Sequence, residues 1–154
     1  MSVTQAKDIR NVAVVGHGAS GKTSLLEAML FKAGATARMG SVDEGTSVAD
    51  YEPEEHEKKF TISAKLLPCQ WQGRAINAVD TPGYPDFISH AIGALNVVET
   101  AILTISATAG IQVNTRKLWS LSKDRGLARL IAVTKMDGEN IEFNRILESI
   151  KGEL

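Results

Sequence analysis

Eight residues near the N-terminus, Gly16-His-Gly-Ala-Ser-Gly-Lys-Thr23, fit the pattern G-x-x-x-x-G-K-[ST]. Its glycines let backbone wrap around an anion with no Cβ in the way. The N–H groups of His17, Gly18, Ala19, Ser20, Gly21, Lys22, Thr23 and Ser24, with the helix start that follows, attract phosphate oxygens. Lys22 is suited to the β- and γ-phosphates, and the Thr23 hydroxyl to Mg²⁺. Asp80-Thr-Pro-Gly83 follows the apolar run AINAV. An aspartate there can hold Mg²⁺ through water, and the Gly83 N–H can meet a γ-phosphate. D-x-x-G alone often marks only a turn; its place one hairpin after the first loop adds weight. Thr134-Lys-Met-Asp137 closes another strand. The Asp137 carboxylate can accept from guanine N1 and N2, which adenine cannot match, while the Lys135 stem lies over the base. Thr61, at the end of a long loop, fits a second Mg²⁺ ligand. The ligand set implied is GTP or GDP with Mg²⁺, the metal taken by Thr23, Thr61 and Asp80.

These residues need a frame. Ile9 to Val15 reads as a buried strand, and Lys22 to Ala33 as a helix stopped by Gly34. Gly34 to Lys59 loses all periodicity and reads as a long mobile loop. Phe60 to Trp71 and Arg74 to Val79 read as a hairpin about Gln72-Gly73. A helix over Phe87 to Val98 and a strand over Ala101 to Ser106 follow. Next come a helix over Asn114 to Arg125, capped by Asn114 and ended by Gly126, and a strand over Arg129 to Thr134. Ile141 to Ile150 begins a last helix. Strands alternating with helices predict a three-layer α/β P-loop fold: a mostly parallel sheet, one antiparallel hairpin strand, helices on both faces. Gly16, Asp80 and Thr134 then fall at the C-terminal strand ends, where ligands of such sheets bind.

The 154 residues suit one domain, expected to be a GTP-binding domain over 1–154. A net charge of −1 provides no basic field for DNA, and no apolar run is long enough for a membrane span. One cysteine, Cys69, and an opening MSVTQAKDIR without an apolar signal favour a reducing compartment, the cytoplasm.

The chain resembles the N-terminal GTPase domain of elongation factor G, or of an elongation-factor-G-like paralogue, and is similar to the tetracycline-resistance ribosomal protection proteins. The match runs from Ile9 to Asp137. GSVDEGTSVADYEPEEHEKKFTIS resembles the family's first switch region through Gly40, Val42, Gly45, Asp50, Glu57, Thr61 and Ile62. DTPGYPDF resembles its second switch, and AGIQVNTRKLW the stretch after the next strand. The resemblance implies Mg²⁺-dependent GTP hydrolysis coupled to ribosome binding or translocation. It carries over Lys22 as phosphate binder, Thr23 and Thr61 as metal ligands, Asp80 and Gly83 as γ-phosphate sensors, and Lys135 and Asp137 as guanine readers.

The chain departs from the family at several places. Tyr84 stands where a histidine orients the attacking water, although some elongation-factor-G-like paralogues also carry tyrosine. A phenol cannot take up the positive charge of an imidazolium. Slow or altered hydrolysis is expected, with the ribosome supplying what Tyr84 lacks. The alternative is a GTP-locked ribosome-binding module with little turnover. A P-loop ATPase or kinase is a third reading, opposed by Asp137. Thr134 replaces an asparagine, which predicts a weaker tie between base loop and phosphate loop. Ala19 stands at a place that is often aspartate, and Lys59 replaces a glycine. The family's last base-binding loop, final strand and helix, and later domains are expected beyond this sequence.

Other polar residues read more plainly. His17 is expected to serve a structural role, and His56 and His90 to face solvent. Asp50, Glu52, Glu54, Glu55 and Glu57 read as a solvated charge run. Cys69 reads as a small packing residue, and Trp71 and Trp119 lie too far apart for a base-stacking platform.

Overall fold

A computed structural model describes residues 5–154. The first four residues of the polar N-terminal stretch lie outside the described residues. Among the described residues, five strands form one sheet in the order β2-β3-β1-β4-β5. They are β1 (Ile9–Gly16), β2 (Lys65–Trp71), β3 (Arg74–Asp80), β4 (Thr100–Ser106) and β5 (Ala128–Thr134). β1 pairs in parallel with β3 (Ile9 opposite Ala75) and with β4 (Val12 opposite Thr100), and β4 pairs in parallel with β5. Among the described residues only the β2–β3 hairpin is antiparallel. This is the predicted doubly covered, mostly parallel sheet.

Successive residues of β1 point to opposite faces, and each face has its own helices. Val14 packs with Leu26 and Leu30 of α1 (Lys22–Lys32), and with Ala49, Leu67, Cys69 and Ala78. Ala13 and Val15 pack with Ala91, Ala94 and Leu95 of α3 (Ile88–Leu95) and with Leu118 of α4 (Val113–Asp124). Ile150 of α5 (Phe143–Glu153) and Leu154 close that core. Among the described residues, no helix is long and apolar enough to cross a membrane.

Three local expectations are corrected. The Gly34–Lys59 segment contains a helix, α2 (Pro53–Lys58), started by Pro53 and by Glu55 accepting from the Glu52 N–H at 3.3 Å. β2 begins at Lys65 rather than Phe60: Phe60 and Thr61 line the site, and the Ile62 and Ser63 N–H groups donate to Glu55 rather than to a strand. The cap of α4 is Gln112, whose N–H donates to Thr115 Oγ1 at 3.3 Å. Asn114 lies inside the helix, and its side chain serves another element.

Candidate functional site

The phosphate loop leaves β1 and enters α1 at the C-terminal end of the sheet. The chain turns at Gly21, whose left-handed φ of 81° begins the helix. Lys22 Nζ donates to the His17 carbonyl at 2.8 Å, and Ser20 Oγ bonds Thr104 Oγ1 of β4 at 2.6 Å. The His17 carbonyl is thus the acceptor that holds Lys22, while its buried Nδ1 has no partner among the described residues. The loop borders a crevice of about 290 Å³ lined by residues 18–24, 39–43, 59–61, Asp50, Gly83, Tyr84 and Lys135.

At its floor two hydroxyls stand between two carboxylates. Thr23 Oγ1 donates to Asp80 Oδ2 at 2.8 Å, and Thr61 Oγ1 to Asp50 Oδ1 at 3.0 Å. Thr23 and Thr61 lie 3.1 Å apart, oxygen to oxygen. Asp50 Oδ2 is buried with no partner among the described residues. Burial pushes Asp80 up to about 6, against the hydrogen bond from Thr23 and the charge of Lys22. Burial also pulls Lys22 down to about 8, against the attraction of Asp80. A cluster of hard oxygens, one unpaired and one carboxyl disfavoured as an anion, fits Mg²⁺.

The carboxylate run of the long loop divides in two. Glu52, Glu54 and Glu57 are exposed as expected, but Asp50 and Glu55 are buried. Glu55 forms a buried ion pair with Lys65 of β2 and accepts from the Ile62 N–H at 2.8 Å and the Ser63 N–H at 3.3 Å. These bonds fix the backbone next to Thr61. Lys59 sits at φ 59°, a left-handed conformation that glycine adopts at no steric cost. Glu27 of α1, which no motif singles out, is also buried and faces this loop. Its sequence signal is a charge in the run LLEAML, beside the core residue Leu26.

Tyr84 covers the crevice from the second switch. Its ring meets Phe60 edge-on, with centroids 4.8 Å apart. It also lies over Gly18, where a Cβ would come within 2.9 Å of the ring. Gly18 is therefore the seat for the tyrosine. Asn114 Nδ2 donates to the Gly83 carbonyl at 2.9 Å, pinning the same switch to α4. The base-side motif follows β5. Thr134 Oγ1 donates to the Ser20 carbonyl at 2.8 Å, so a single hydroxyl hydrogen bond ties this turn to the phosphate loop. Lys135 borders the crevice, while Asp137 is exposed on the turn beyond it and is not part of the lining.

A parallel sheet delivering a phosphate loop, two acidic switch elements and a base-side turn to one edge defines a P-loop nucleotide-binding domain. The chain belongs to the elongation factor Tu GTP binding domain family, whose model matches residues 7–154. It is 38% identical over 149 residues to "Ribosome-releasing factor 2, mitochondrial" of Drosophila willistoni, covering 97% of this chain and 20% of the relative. It is 34% identical over 145 residues to "Elongation factor G 2" of Borreliella afzelii (strain PKo), covering 94% and 22%. A crystal structure of a Thermus thermophilus protein superposes with a TM-score of 0.89 at 40% identity, covering 94% of this chain and 22% of that one. The bacterial selenocysteine-specific elongation factor EF-Sec, at 23% identity and a TM-score of 0.74, shares the fold over 92% of this chain and 22% of its own. The chain spans about a fifth of the length of the curated relatives it matches. It is a GTP-binding domain similar to that of elongation factor G, and its ligand is a guanine nucleotide.

Proposed function

We infer that the chain is the Mg²⁺-dependent GTP-hydrolysing switch of a factor that works on the ribosome. What carries the reading is the meeting of Lys22, Thr23, Asp50 and Thr61 in one crevice beside the two switch loops, with Asp80 buried behind Thr23 and hydrogen-bonded to it. Lys22 binds the β- and γ-phosphates and the N–H groups of residues 17–24 hold their oxygens. Thr23, Thr61, Asp80 and Asp50 hold Mg²⁺. The ion supplies charge neutralisation across the phosphates. Gly83 reads the γ-phosphate by its N–H. Tyr84 shields the attacking side as an aromatic cover, and turnover in isolation is slow. The match to elongation and ribosome-releasing factors does not support the GTP-locked module. Lys135 and Asp137 read the base, and the exposure of Asp137 leaves that side of the pocket open. The ribosome is the proposed partner of the whole protein, by the names of its relatives. DNA and membrane are not proposed as partners, and the cytoplasm is the proposed compartment.

The experiment is a titration of fluorescent GDP, GTP and ATP analogues in Mg²⁺. A guanine preference is expected, and a preference for ATP would overturn the reading. Asp137→Asn is expected to lower GTP affinity by roughly 10²-fold or more, because a polar contact to the base is left unmatched. The same change should move preference toward xanthosine triphosphate, whose ring presents an acceptor where guanine presents a donor. Unchanged GTP binding in the variant would remove Asp137 from base reading.

A further inference from the structure

We propose that Glu27 is a positioning residue that clasps the first switch loop to α1 and thereby sets the preference of the chain for GTP over GDP; this rests on the functional reading above. Glu27 is fully buried, and among the described residues it has no ion-pair partner. A carboxylate out of water must be saturated by donors. All the donors come from the loop. Oε1 accepts from Ser47 Oγ at 2.7 Å, the Val48 N–H at 2.7 Å and the Ala49 N–H at 3.3 Å. Oε2 accepts from the Gly40 N–H at 3.1 Å. A Cβ at Gly40 would come within 2.6 Å of Oε2, so this approach requires glycine.

Contacts run on from Glu27 to the metal cluster. Ser47 Oγ gives its proton to Glu27 and accepts from the N–H groups of Ala49 at 3.1 Å and Asp50 at 3.3 Å. Asp50 then takes the Thr61 hydroxyl at 3.0 Å, and Thr61 meets Thr23 at 3.1 Å. The path starts at Glu27 and returns to Thr23, four residues earlier on the same helix and thus one turn away on the same side. The loop is fastened at two points of one helical turn. The Thr23 end answers to the ligand, because a γ-phosphate with its metal is what orders such a loop. The Glu27 end needs no ligand. With residues 40–49 already fixed, a triphosphate has fewer residues to order and so less backbone entropy to lose. GDP, which does not recruit Thr61, gains nothing from the clasp. Loss of Glu27 therefore weakens triphosphate binding selectively, which a merely structural residue would not do.

The test uses the full chain as wild type, Glu27→Ala, Glu27→Gln and Ser47→Ala. It measures affinities for fluorescent GDP and a non-hydrolysable GTP analogue in Mg²⁺, with tryptic cleavage at Arg38, Lys58 and Lys59 as loop readout. Glu27→Ala is expected to lower triphosphate affinity about tenfold or more, from the loss of hydrogen bonds to a charged acceptor. GDP affinity stays within about twofold, and cleavage of the loop accelerates. Glu27→Gln keeps one acceptor oxygen for the three donors at Oε1 and so falls between. Ser47→Ala leaves α1 intact, shifts the same ratio by less, and decides the matter if Glu27→Ala does not fold. A wild type that discriminates, with folded variants that keep its GTP-to-GDP ratio, would sink this inference alone. A wild type that binds no guanine nucleotide would bring down the functional reading and the inference with it.

Discussion

Replacing Lys22 by alanine is expected to lower single-turnover GTP hydrolysis about 10²- to 10³-fold, with a parallel loss of nucleotide affinity, while the nucleotide-free fold keeps its stability. A pre-placed positive charge aimed at developing negative charge is worth that much when removed. Lys22 is only 6% exposed, and its ammonium is held by the His17 carbonyl. Burial lowers its pKa from 10.5 to about 8. The folded chain disfavours the charged form, so the cost is fully present below about pH 8 and is relieved as pH rises from there toward the unfolded value. Alanine removes that cost together with one hydrogen bond, two changes of opposite sign. Thermal melting with and without GDP or GTP in Mg²⁺ checks this. The variant should melt close to wild type without nucleotide and lose the rise that a ligand of the folded state produces. A full ligand-induced rise in Lys22→Ala would exclude Lys22 from phosphate binding.

The second large effect is on stability. Lys65→Met leaves the Glu55 carboxylate buried with only backbone donors, at Glu52, Ile62 and Ser63. Stranding one partner of a buried ion pair costs about 3–5 kcal/mol. In a chain of this size that lowers the melting temperature by about 6–20 °C. The double change Glu55→Leu with Lys65→Met is expected to recover most of the loss, since apolar packing replaces such a pair at little net cost. Melting curves of the four proteins form the cycle. Additive single losses, with no recovery in the double variant, would show that the two side chains do not act as a pair.

What was legible in the sequence was whatever depends on neighbours in the chain. The phosphate loop, DTPG and the Thr134–Asp137 turn each carry their spacing within a few residues, and alternating strands and helices fixed the sheet. The anchors were not legible, because they depend on partners far along the chain. Asp50 and Glu55 look like members of a solvated run until β2 and the Thr61 segment fold over them. Glu27 looks like a surface glutamate until the loop returns to it. α2 is a single short helix in a polar tract, too short for periodicity to speak. Asn114 has the residue type of a helix cap, but the Gly83 carbonyl claims its side chain. Thr134 lacks the expected amide, and its hydroxyl still reaches Ser20.

The central place of β1 has a consequence for synthesis. β1 is made first, yet its partners are β3, where Ala75 pairs with Ile9, and β4, where Thr100 pairs with Val12. At ordinary translation speeds, the roughly 65 residues separating β1 from its first partner take about 3–13 s to appear. Through that interval the apolar Val12–Val15 run of the nascent chain has no strand to pair with, although α1 can form from local contacts alone. The strand on which the whole crevice is built is therefore the one most in need of a chaperone while the chain is still on the ribosome.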